Sequence, residues 1–266
     1  MKETIKPARQ RAYWNGIAAE YARITRIRTD DFHYGPQIPG EKVLRILPRL
    51  PKGSAALELG CGEGQNSIYL AKKGLRCTAF DISPRQLDHA RALAAAAKLS
   101  IDFREGSLEA FEDGLGPRQK FDFIHSSHAM EFVQDPATIL RAMTRRLKKG
   151  GFLMVSTVHP LYNGEWIEGE FEDETGADAG NAGAGLFLTD YFSPPDDVRD
   201  ETAGHVISRA WPVSAWFGWF RDAGLSVERL LEPAATPDAP YTSDDWANHA
   251  GQLDRIPSTL ILLGRK

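Results

Sequence analysis

Residues 55–64 read Ala55-Ala56-Leu57-Glu58-Leu59-Gly60-Cys61-Gly62-Glu63-Gly64, an apolar stretch that runs into three glycines at alternate positions. The next nine residues, QNSIYLAKK, have a helical pattern, and Gly74 follows them as a helix-ending residue. A strand that passes through a glycine turn into a helix leaves backbone N–H groups and the positive end of a helix dipole uncovered by side chains. The stretch therefore predicts a place where a polar ligand lies against the backbone.

Strands and helices alternate from residue 55 onward, which predicts a parallel sheet with helices on both faces. The predicted strands are apolar runs bounded by turn residues, at 55–60, 75–80, 101–104, 121–125, 151–157, 225–231 and 258–263. The predicted helices are 65–73, 84–99, 136–147 and 213–223. An amphipathic helix over 10–28 and a short helix over 41–50 precede this core.

Regular patterns break down between His159 and Trp211, where the acidic and glycine-rich segment 172–185 predicts a mobile stretch. We expect a lid or substrate-binding insertion here. The predicted organisation has four parts: an N-terminal helical cap and loop at 1–50, an α/β core at 51–158, the insertion at 159–211, and the closing helix and strands of the same core at 212–266.

Composition argues against several classes of partner. The net charge of −4 and the pI of about 6.0 give no basic field that would attract nucleic acid or an anionic membrane. No apolar run approaches the ~20 residues of a membrane span. Cys61 and Cys77 fall in or beside buried strands, as reduced thiols of a cytoplasmic protein would. No spacing of Cys and His residues indicates zinc.

An acidic residue ends the second predicted strand. Asp81 falls 17 residues after Gly64, which places its carboxylate beside the glycine turn, where it could accept hydrogen bonds from both hydroxyls of a ribose. A role as a helix N-cap or a surface aspartate is the alternative.

These residues resemble a known family. Residues 57–64 resemble motif I, ExGxGxG, of the class I S-adenosylmethionine-dependent methyltransferases. Phe80-Asp81-Ile82-Ser83 is similar to that family's ribose-binding motif, residues 121–127 to its fourth strand, and residues 147–151 to the turn before its fifth. The resemblance implies S-adenosylmethionine as the cofactor. It also implies an α/β, Rossmann-like sheet of seven strands with the last one antiparallel, beneath the N-terminal cap and the insertion.

The resemblance also implies roles for single residues. The cofactor would be bound by Glu58, Gly60, Cys61, Gly62, Gly64, Asp81, Ile82, Ser107, Leu108 and Ser126. The glycines would let the methionine part approach the backbone, and Glu58 would orient the turn or meet the cofactor's ammonium group. Asp81 would hold the ribose, while Ile82 and a residue near Leu108 would cover the adenine. Ser107 stands where the family usually has an aspartate.

Methyl transfer from a sulfonium needs positioning and, for some acceptors, a base. The candidate bases are His159, then His128, then His33, and for each a structural role is equally open. Tyr21 would cap the cofactor or orient the acceptor. An acceptor pocket for an apolar or aromatic small molecule would be lined by His33, Trp166, Tyr191 and Trp211.

The predicted activity is transfer of the methyl group of S-adenosylmethionine to an O, N or C atom of a small, aromatic or amphipathic metabolite. Three alternatives stay open: other chemistry on the same cofactor, such as cyclisation or modification of the sulfonium; a non-catalytic binding or scaffold protein with a relict pocket; and a nicotinamide-dependent reductase, which the glycine pattern fits poorly. We expect a small-molecule partner and no nucleic acid, and an exposed aromatic N-terminal helix could form a homodimer or a higher homo-oligomer.

Overall fold

A computed structural model describes residues 2–168, 184–201, 204–247 and 250–266 of the chain. In chain order their elements are α1 (Pro7–Ile24), β1 (Thr25–Ile27), α2 (Glu41–Leu44), β2 (Ala55–Leu59), α3 (Gln65–Lys72), β3 (Arg76–Asp81), α4 (Pro84–Ala96), β4 (Asp102–Glu105), β5 (Phe121–Ser127), α5 (Pro136–Arg146), β6 (Leu147–Val158), β7 (Glu165–Glu168), β8 (Ala184–Phe187), β9 (Asp197–Glu201), β10 (Gly204–Ser208), α6 (Val213–Asp222), β11 (Ser226–Leu231), β12 (Tyr241–Ser243), α7 (Asp244–Ala247), α8 (Ala250–Leu253) and β13 (Thr259–Arg265). Single turns of 3₁₀-helix lie at Phe111–Gly114 and Met130–Phe132.

The central sheet has seven strands in the order β11-β13-β6-β5-β2-β3-β4. Strands β2 to β6 pair in parallel, whereas β13 runs antiparallel to both of its neighbours, β6 and β11. The predicted fold, a seven-stranded α/β sheet whose last strand is antiparallel, is confirmed. This topology brings the carboxyl ends of β2, β3 and β5 to one edge, where ligands of open α/β sheets bind.

Apolar side chains cover both faces of the sheet. Leu57 and Ile124 belong to one buried cluster and Ala56 and Phe123 to another, so adjacent residues of β2 and β5 face opposite layers. This burial on both faces explains the nearly continuous apolar runs of the strands, since parallel sheets are covered on both sides. Packing on both faces holds the sheet rigid, and with it the edge at which the polar residues lie.

The N-terminal cap differs from its prediction. The helix was expected over 10–28, but α1 ends at Ile24 because the next three residues form β1, which pairs antiparallel with β12. The helix expected over 41–50 is the single turn α2, which ends at Leu44 and is followed by Arg45 in a left-handed conformation with φ of 52°. Pairing of β1 with β12 joins the N-terminal cap to the loop before the last strand.

The insertion contains two antiparallel hairpins, β7 with β8 and β9 with β10. Strand β10 lies along α1, where a Cβ at Gly204 would lie 2.3 Å from the backbone nitrogen of Tyr13. Of the predicted mobile stretch 172–185, residues 172–183 lie outside the described residues, and the last two belong to β8. In the part of the chain that is described, no helix has the length and apolarity needed to cross a bilayer.

Candidate functional site

The glycine turn after β2 depends on backbone conformations that favour glycine. Gly60, Gly62 and Gly64 have φ angles of 75°, 51° and 76°, in the left-handed region that residues with a Cβ seldom adopt. A Cβ at Gly60 would also lie 2.2 Å from the Cβ of Ala129. The amides of Gly60 and Cys61 donate to one carbonyl at the end of β3, at 2.8 and 2.9 Å. The turn is thereby fixed with bare backbone exposed at the sheet edge.

Asp81 is held at the end of β3 by the same turn. Its Oδ2 accepts a hydrogen bond from the Gly62 amide at 2.8 Å, and its Oδ1 accepts one from the Ser83 amide at 2.9 Å. Burial raises the pKa of Asp81, and the backbone N–H groups that it accepts oppose this rise. Each carboxylate oxygen keeps further lone pairs, so the group can also accept hydrogen bonds from two adjacent hydroxyls of a ligand.

Glu58 is a buried carboxyl group with no cationic partner among the described residues. Its side chain accepts a 2.5 Å hydrogen bond from the Ser67 hydroxyl, and its other oxygen lies 3.9 Å from Nδ1 of His125. Burial raises the pKa of Glu58 to about 8, because a buried carboxylate lacks the solvation that water would give it. Burial also lowers the pKa of His125, to about 3. A ligand with an ammonium group would supply the positively charged partner that Glu58 lacks.

These groups line a cavity, here called the inner cavity, with about 880 Å³ of space free of protein atoms, part of it open to solvent. Of the predicted cofactor residues, those that line it are Glu58, Gly60, Cys61, Gly62, Asp81, Ile82 and Leu108. No Lys or Arg is among its described lining residues. The carboxyl groups of Glu58 and Asp81 suit a ligand with an ammonium group and a vicinal diol, and the side chains of Ile82 and Leu108 suit an apolar ring.

Three predicted cofactor residues do not line the inner cavity. Gly64 begins α3, and a Cβ there would lie 2.8 Å from the ring of Phe103. Ser126 is buried in β5, where its hydroxyl donates to the carbonyl of Leu59 at 2.8 Å. Ser107 is half-buried in the turn after β4, outside the lining.

A second cavity, here called the outer cleft, adjoins the first and contains about 2120 Å³ of space free of protein atoms, including open solvent. Its walls come from α1, the insertion and the segment around β12, and its aromatic residues are Tyr13, Trp14, Tyr21, Phe132, Tyr162, Tyr241 and Trp246. The residues that line both cavities are Trp14, Tyr21, His128, Phe132 and Tyr241. We call this shared wall the junction.

His128 stands at the junction in a strained position. Its φ is 51°, and its backbone N–H donates to the carbonyl of Ser156 at 2.9 Å. On the ring, Nδ1 lies 3.2 Å from Oε1 of Glu131, and Nε2 lies 3.0 Å from Oγ1 of Thr259. The Glu131 carboxylate is buried and also accepts from the Thr157 hydroxyl at 3.2 Å. A carboxylate at Nδ1 favours the tautomer with the proton on that nitrogen, which leaves the lone pair on Nε2.

His33 also lines the inner cavity. Its backbone N–H donates to the side-chain oxygen of Asn66 at 2.9 Å, and its carbonyl accepts from the Asn66 amide at 3.0 Å. Its ring packs edge-on against Tyr241, with centroids 5.2 Å apart. Burial, followed by the neighbouring His128, lowers the pKa of His33 to about 3. His33 is therefore a neutral hydrogen-bonding group, and a weak base.

His159, the first candidate base, lies outside both cavities. It is buried after β6, where Nε2 lies 2.7 Å from Oε1 of Glu232 and Nδ1 accepts from the Leu161 amide at 3.2 Å. Burial lowers the pKa of His159, although Glu232 acts in the opposite direction. What separates His159 from His128 is position, because only His128 lines the cavities.

The three aromatic residues expected to line an acceptor pocket also lie outside both cavities. Trp166 has the guanidinium of Arg255 over its ring, 5.8 Å from the centroid. The hydroxyl of Tyr191 accepts a 3.4 Å hydrogen bond from the backbone of Val213. Trp211 packs against the main core and has Lys2 over its ring.

The structure brings to the junction or the outer cleft several residues that pattern analysis did not select. They are Glu131, Phe132, Tyr162, Tyr241 and Trp246. The rings of Tyr162 and Trp246 stack with centroids 4.5 Å apart and planes 7° apart. Of these, Glu131 could have been found from the sequence, because it lies three residues after His128 and four residues after the end of β5.

Comparisons with known proteins identify the family of the chain. The family described as "Methyltransferase domain" matches residues 32–230. The ubiquinone biosynthesis O-methyltransferase of Xylella fastidiosa strain 9a5c is 35% identical over 133 residues, which are 47% of this chain and 53% of that protein. The protein with the same name from Methylocella silvestris is 34% identical over 115 residues, 43% of this chain and 44% of that protein. The chain thus spans about half the length of these curated relatives.

Solved structures share the fold. An S-adenosylmethionine-dependent methyltransferase from Mesorhizobium loti superimposes with a TM-score of 0.61 at 24% identity, covering 84% of this chain and 94% of that one. The [4+2]-cyclase SpnF has the same TM-score of 0.61 at 16% identity, covering 100% of this chain and 98% of that one. At these identities the likeness is one of fold. Together with the match over residues 32–230, the comparisons show that the chain belongs to the methyltransferase domain family of S-adenosylmethionine-dependent proteins.

Proposed function

We propose that this chain transfers the methyl group of S-adenosylmethionine to a small aromatic or amphipathic acceptor bound in the outer cleft. The observation that carries the proposal is the junction, the wall of five residues that the inner cavity and the outer cleft share. A donor in one space and an acceptor in the other would meet there, and holding two reactants in line is the main contribution that such a reaction needs from a protein.

The inner cavity would hold the cofactor through groups of complementary charge. Glu58 would receive the ammonium group, Asp81 the two ribose hydroxyls, and the turn at Gly60 and Gly62 the methionine backbone. Ile82 and Leu108 would cover the adenine. Bound S-adenosylmethionine supplies a methyl group on a positively charged sulfur, which departs as a neutral thioether with the electron pair of the broken carbon–sulfur bond.

His128 is the proposed base. Glu131 favours the tautomer with the proton on Nδ1, so the lone pair of Nε2 would take the acceptor's proton once its present contact with the Thr259 hydroxyl is released. The resulting imidazolium would be stabilised by the Glu131 carboxylate. His33 has a pKa of about 3, which suits it to hydrogen bonding with a ligand rather than to proton abstraction.

The acceptor class is inferred from the walls of the outer cleft. Seven aromatic side chains line it, including the stacked pair Tyr162 and Trp246, and such walls favour flat or apolar ligands. The names of the curated relatives refer to O-methylation in ubiquinone biosynthesis, which makes an oxygen acceptor on an aromatic ring the first to examine.

Two measurements test the proposal. Calorimetry should detect binding of S-adenosylmethionine and S-adenosylhomocysteine, and absence of both would contradict the cofactor assignment. Incubation with S-adenosylmethionine and a panel of phenols, followed by mass spectrometry, should detect a product heavier by one methylene. Consumption of the cofactor without a methylated product would favour other sulfonium chemistry, and binding without any turnover would favour the scaffold alternative.

A further inference from the structure

Two tyrosine hydroxyls meet at the junction. The hydroxyl oxygens of Tyr21, on α1, and Tyr241, on β12, are 2.6 Å apart. Both side chains line the inner cavity and the outer cleft. We propose that this pair is a hydrogen-bond donor to the acceptor atom and selects an oxygen nucleophile over a nitrogen nucleophile. The inference rests on the proposed methyl transfer.

The number of hydroxyl protons in the pair leaves one available to a ligand. Each phenol has one O–H proton, and one of the two protons is used in the bond between them. No other hydrogen-bond partner of either hydroxyl occurs among the described residues. The second proton is therefore free to be donated to a ligand at the junction.

The ionisation state of the pair makes it a donor and not a base. Burial raises the pKa of Tyr21 far above its usual value and raises that of Tyr241 to about 12. For Tyr21, the carboxylates of Glu63 and Asp81 act in the same direction as burial. For Tyr241, the hydrogen bond with Tyr21 and the charge of Arg199 oppose the rise, and the charge of Glu131 adds to it. Both hydroxyls therefore stay protonated at neutral pH, so the pair acts as a donor and leaves proton abstraction to another group.

The number of lone pairs on the nucleophile determines whether a hydrogen-bond donor helps or obstructs it. A phenolate oxygen can accept a hydrogen bond with one lone pair and attack the methyl carbon with another. A neutral amine nitrogen has a single lone pair, which the same hydrogen bond would occupy. A fixed O–H donor at the junction thus stabilises an oxygen nucleophile and obstructs a nitrogen one. When the new carbon–oxygen bond forms, the acceptor's proton has already passed to His128 and the tyrosines keep theirs.

The test uses a matched pair of chromophores, 4-nitrophenol and 4-nitroaniline, added to the full chain saturated with S-adenosylhomocysteine. We expect 4-nitrophenol to bind at least about tenfold more tightly than 4-nitroaniline and to absorb as the phenolate below its solution pKa, since hydrogen bonds to charged groups are strong. Equal affinity, or absence of a bound phenolate, would overturn the inference.

Variants locate the effect. The double variant Tyr21→Phe/Tyr241→Phe should reduce the preference for 4-nitrophenol about tenfold, and each single variant should reduce it less, because the remaining hydroxyl still has a proton to donate. Tyr69→Phe, on α3 and in the lining of neither cavity, is the matched control and should keep the preference. Loss of thermal stability without a change in preference would make the pair merely structural. The readout needs no turnover, so a failure here is distinguishable from a failure to transfer methyl groups.

Discussion

The hydroxyl of Ser67 donates a 2.5 Å hydrogen bond to the carboxyl group of Glu58, and no Lys or Arg in the described part of the chain joins Glu58 in lining the inner cavity. The pKa of Glu58 is raised to about 8 by burial, so without a ligand the group is mostly protonated at pH 7. An ammonium group placed beside it would lower that pKa and expel the proton.

We therefore expect binding of S-adenosylmethionine to release close to one proton near pH 7. Calorimetry at that pH in phosphate and in Tris, whose ionisation enthalpies differ, should give binding enthalpies that differ with the sign of proton release. The release should fade above about pH 9, where Glu58 is already ionised. Glu58→Gln should bind more weakly and release no proton from this site. Equal release by Glu58→Gln would assign the proton to another group.

The same pKa affects stability. Because the folded protein binds this proton more tightly than the unfolded chain, whose carboxyl group has the ordinary value of 4.5, the contribution of Glu58 to stability falls as the pH rises from about 4.5 towards 8. Without ligand, Glu58→Gln should thus gain thermal stability relative to the parent at pH 8 more than at pH 5. Melting curves at both values check this, and a difference of the opposite sign would contradict the assigned pKa direction.

Asp81 should contribute equally to binding of the methyl donor and of its product, since both carry the ribose. We expect Asp81→Asn to weaken S-adenosylmethionine and S-adenosylhomocysteine alike, by about 1.5–3 kcal/mol, or roughly ten- to hundredfold. Asp88→Asn, an exposed residue on α4 paired with Arg91, is the control and should change neither affinity. Selective loss of one ligand only would place Asp81 near the sulfur instead.

His128 and His159 make opposite predictions for catalysis. His128→Ala should lower kcat by about 10²–10⁴-fold, the usual contribution of a positioned base, with little change in cofactor affinity. Glu131→Gln should lower kcat less, because the ring remains but its tautomer is less fixed. His159→Ala should chiefly reduce stability through the lost contact with Glu232. Measurement of kcat, cofactor affinity and melting temperature for the three variants tests which histidine is the base. A loss of kcat confined to His159→Ala would assign that role to His159 instead of His128.

The sequence predicts the sheet and much of the inner cavity, because both depend on short-range patterns. Apolar runs alternate with helical segments, and Glu58, Gly60, Gly62 and Asp81 lie at the ends of consecutive strands, so topology alone brings them together. The junction was harder to predict because it depends on long-range contacts.

His128 and His159 both follow strands, and only packing turns His159 towards Glu232 and away from the cavities. Tyr241 lies in an irregular segment, and its place opposite Tyr21 follows from the pairing of β1 with β12, two strands of three residues each. Strands this short have no periodicity of their own, since tertiary contacts form them.

The close approach of Gly35 to His128 offers a final test of the junction. A Cβ at Gly35 would lie 2.4 Å from Nε2 of His128 and 2.8 Å from Oγ1 of Thr259, so one of these groups must shift. Because a displacement of about 1 Å can cost roughly a hundredfold in rate, Gly35→Ala should lower kcat strongly while cofactor affinity stays within about twofold, since the groups that hold the cofactor are elsewhere.

Gly218→Ala is the matched control for this substitution. Gly218 lies within α6, and a Cβ there would meet nothing within 4 Å, so the change should leave kcat unaltered and raise stability by about 0.5–1 kcal/mol through helix propensity. Parallel measurement of kcat, cofactor affinity and melting temperature separates the two effects. An unchanged kcat in a folded Gly35→Ala protein would mean that the ring of His128 can move without affecting the reaction, and the base would then have to be sought elsewhere along the junction.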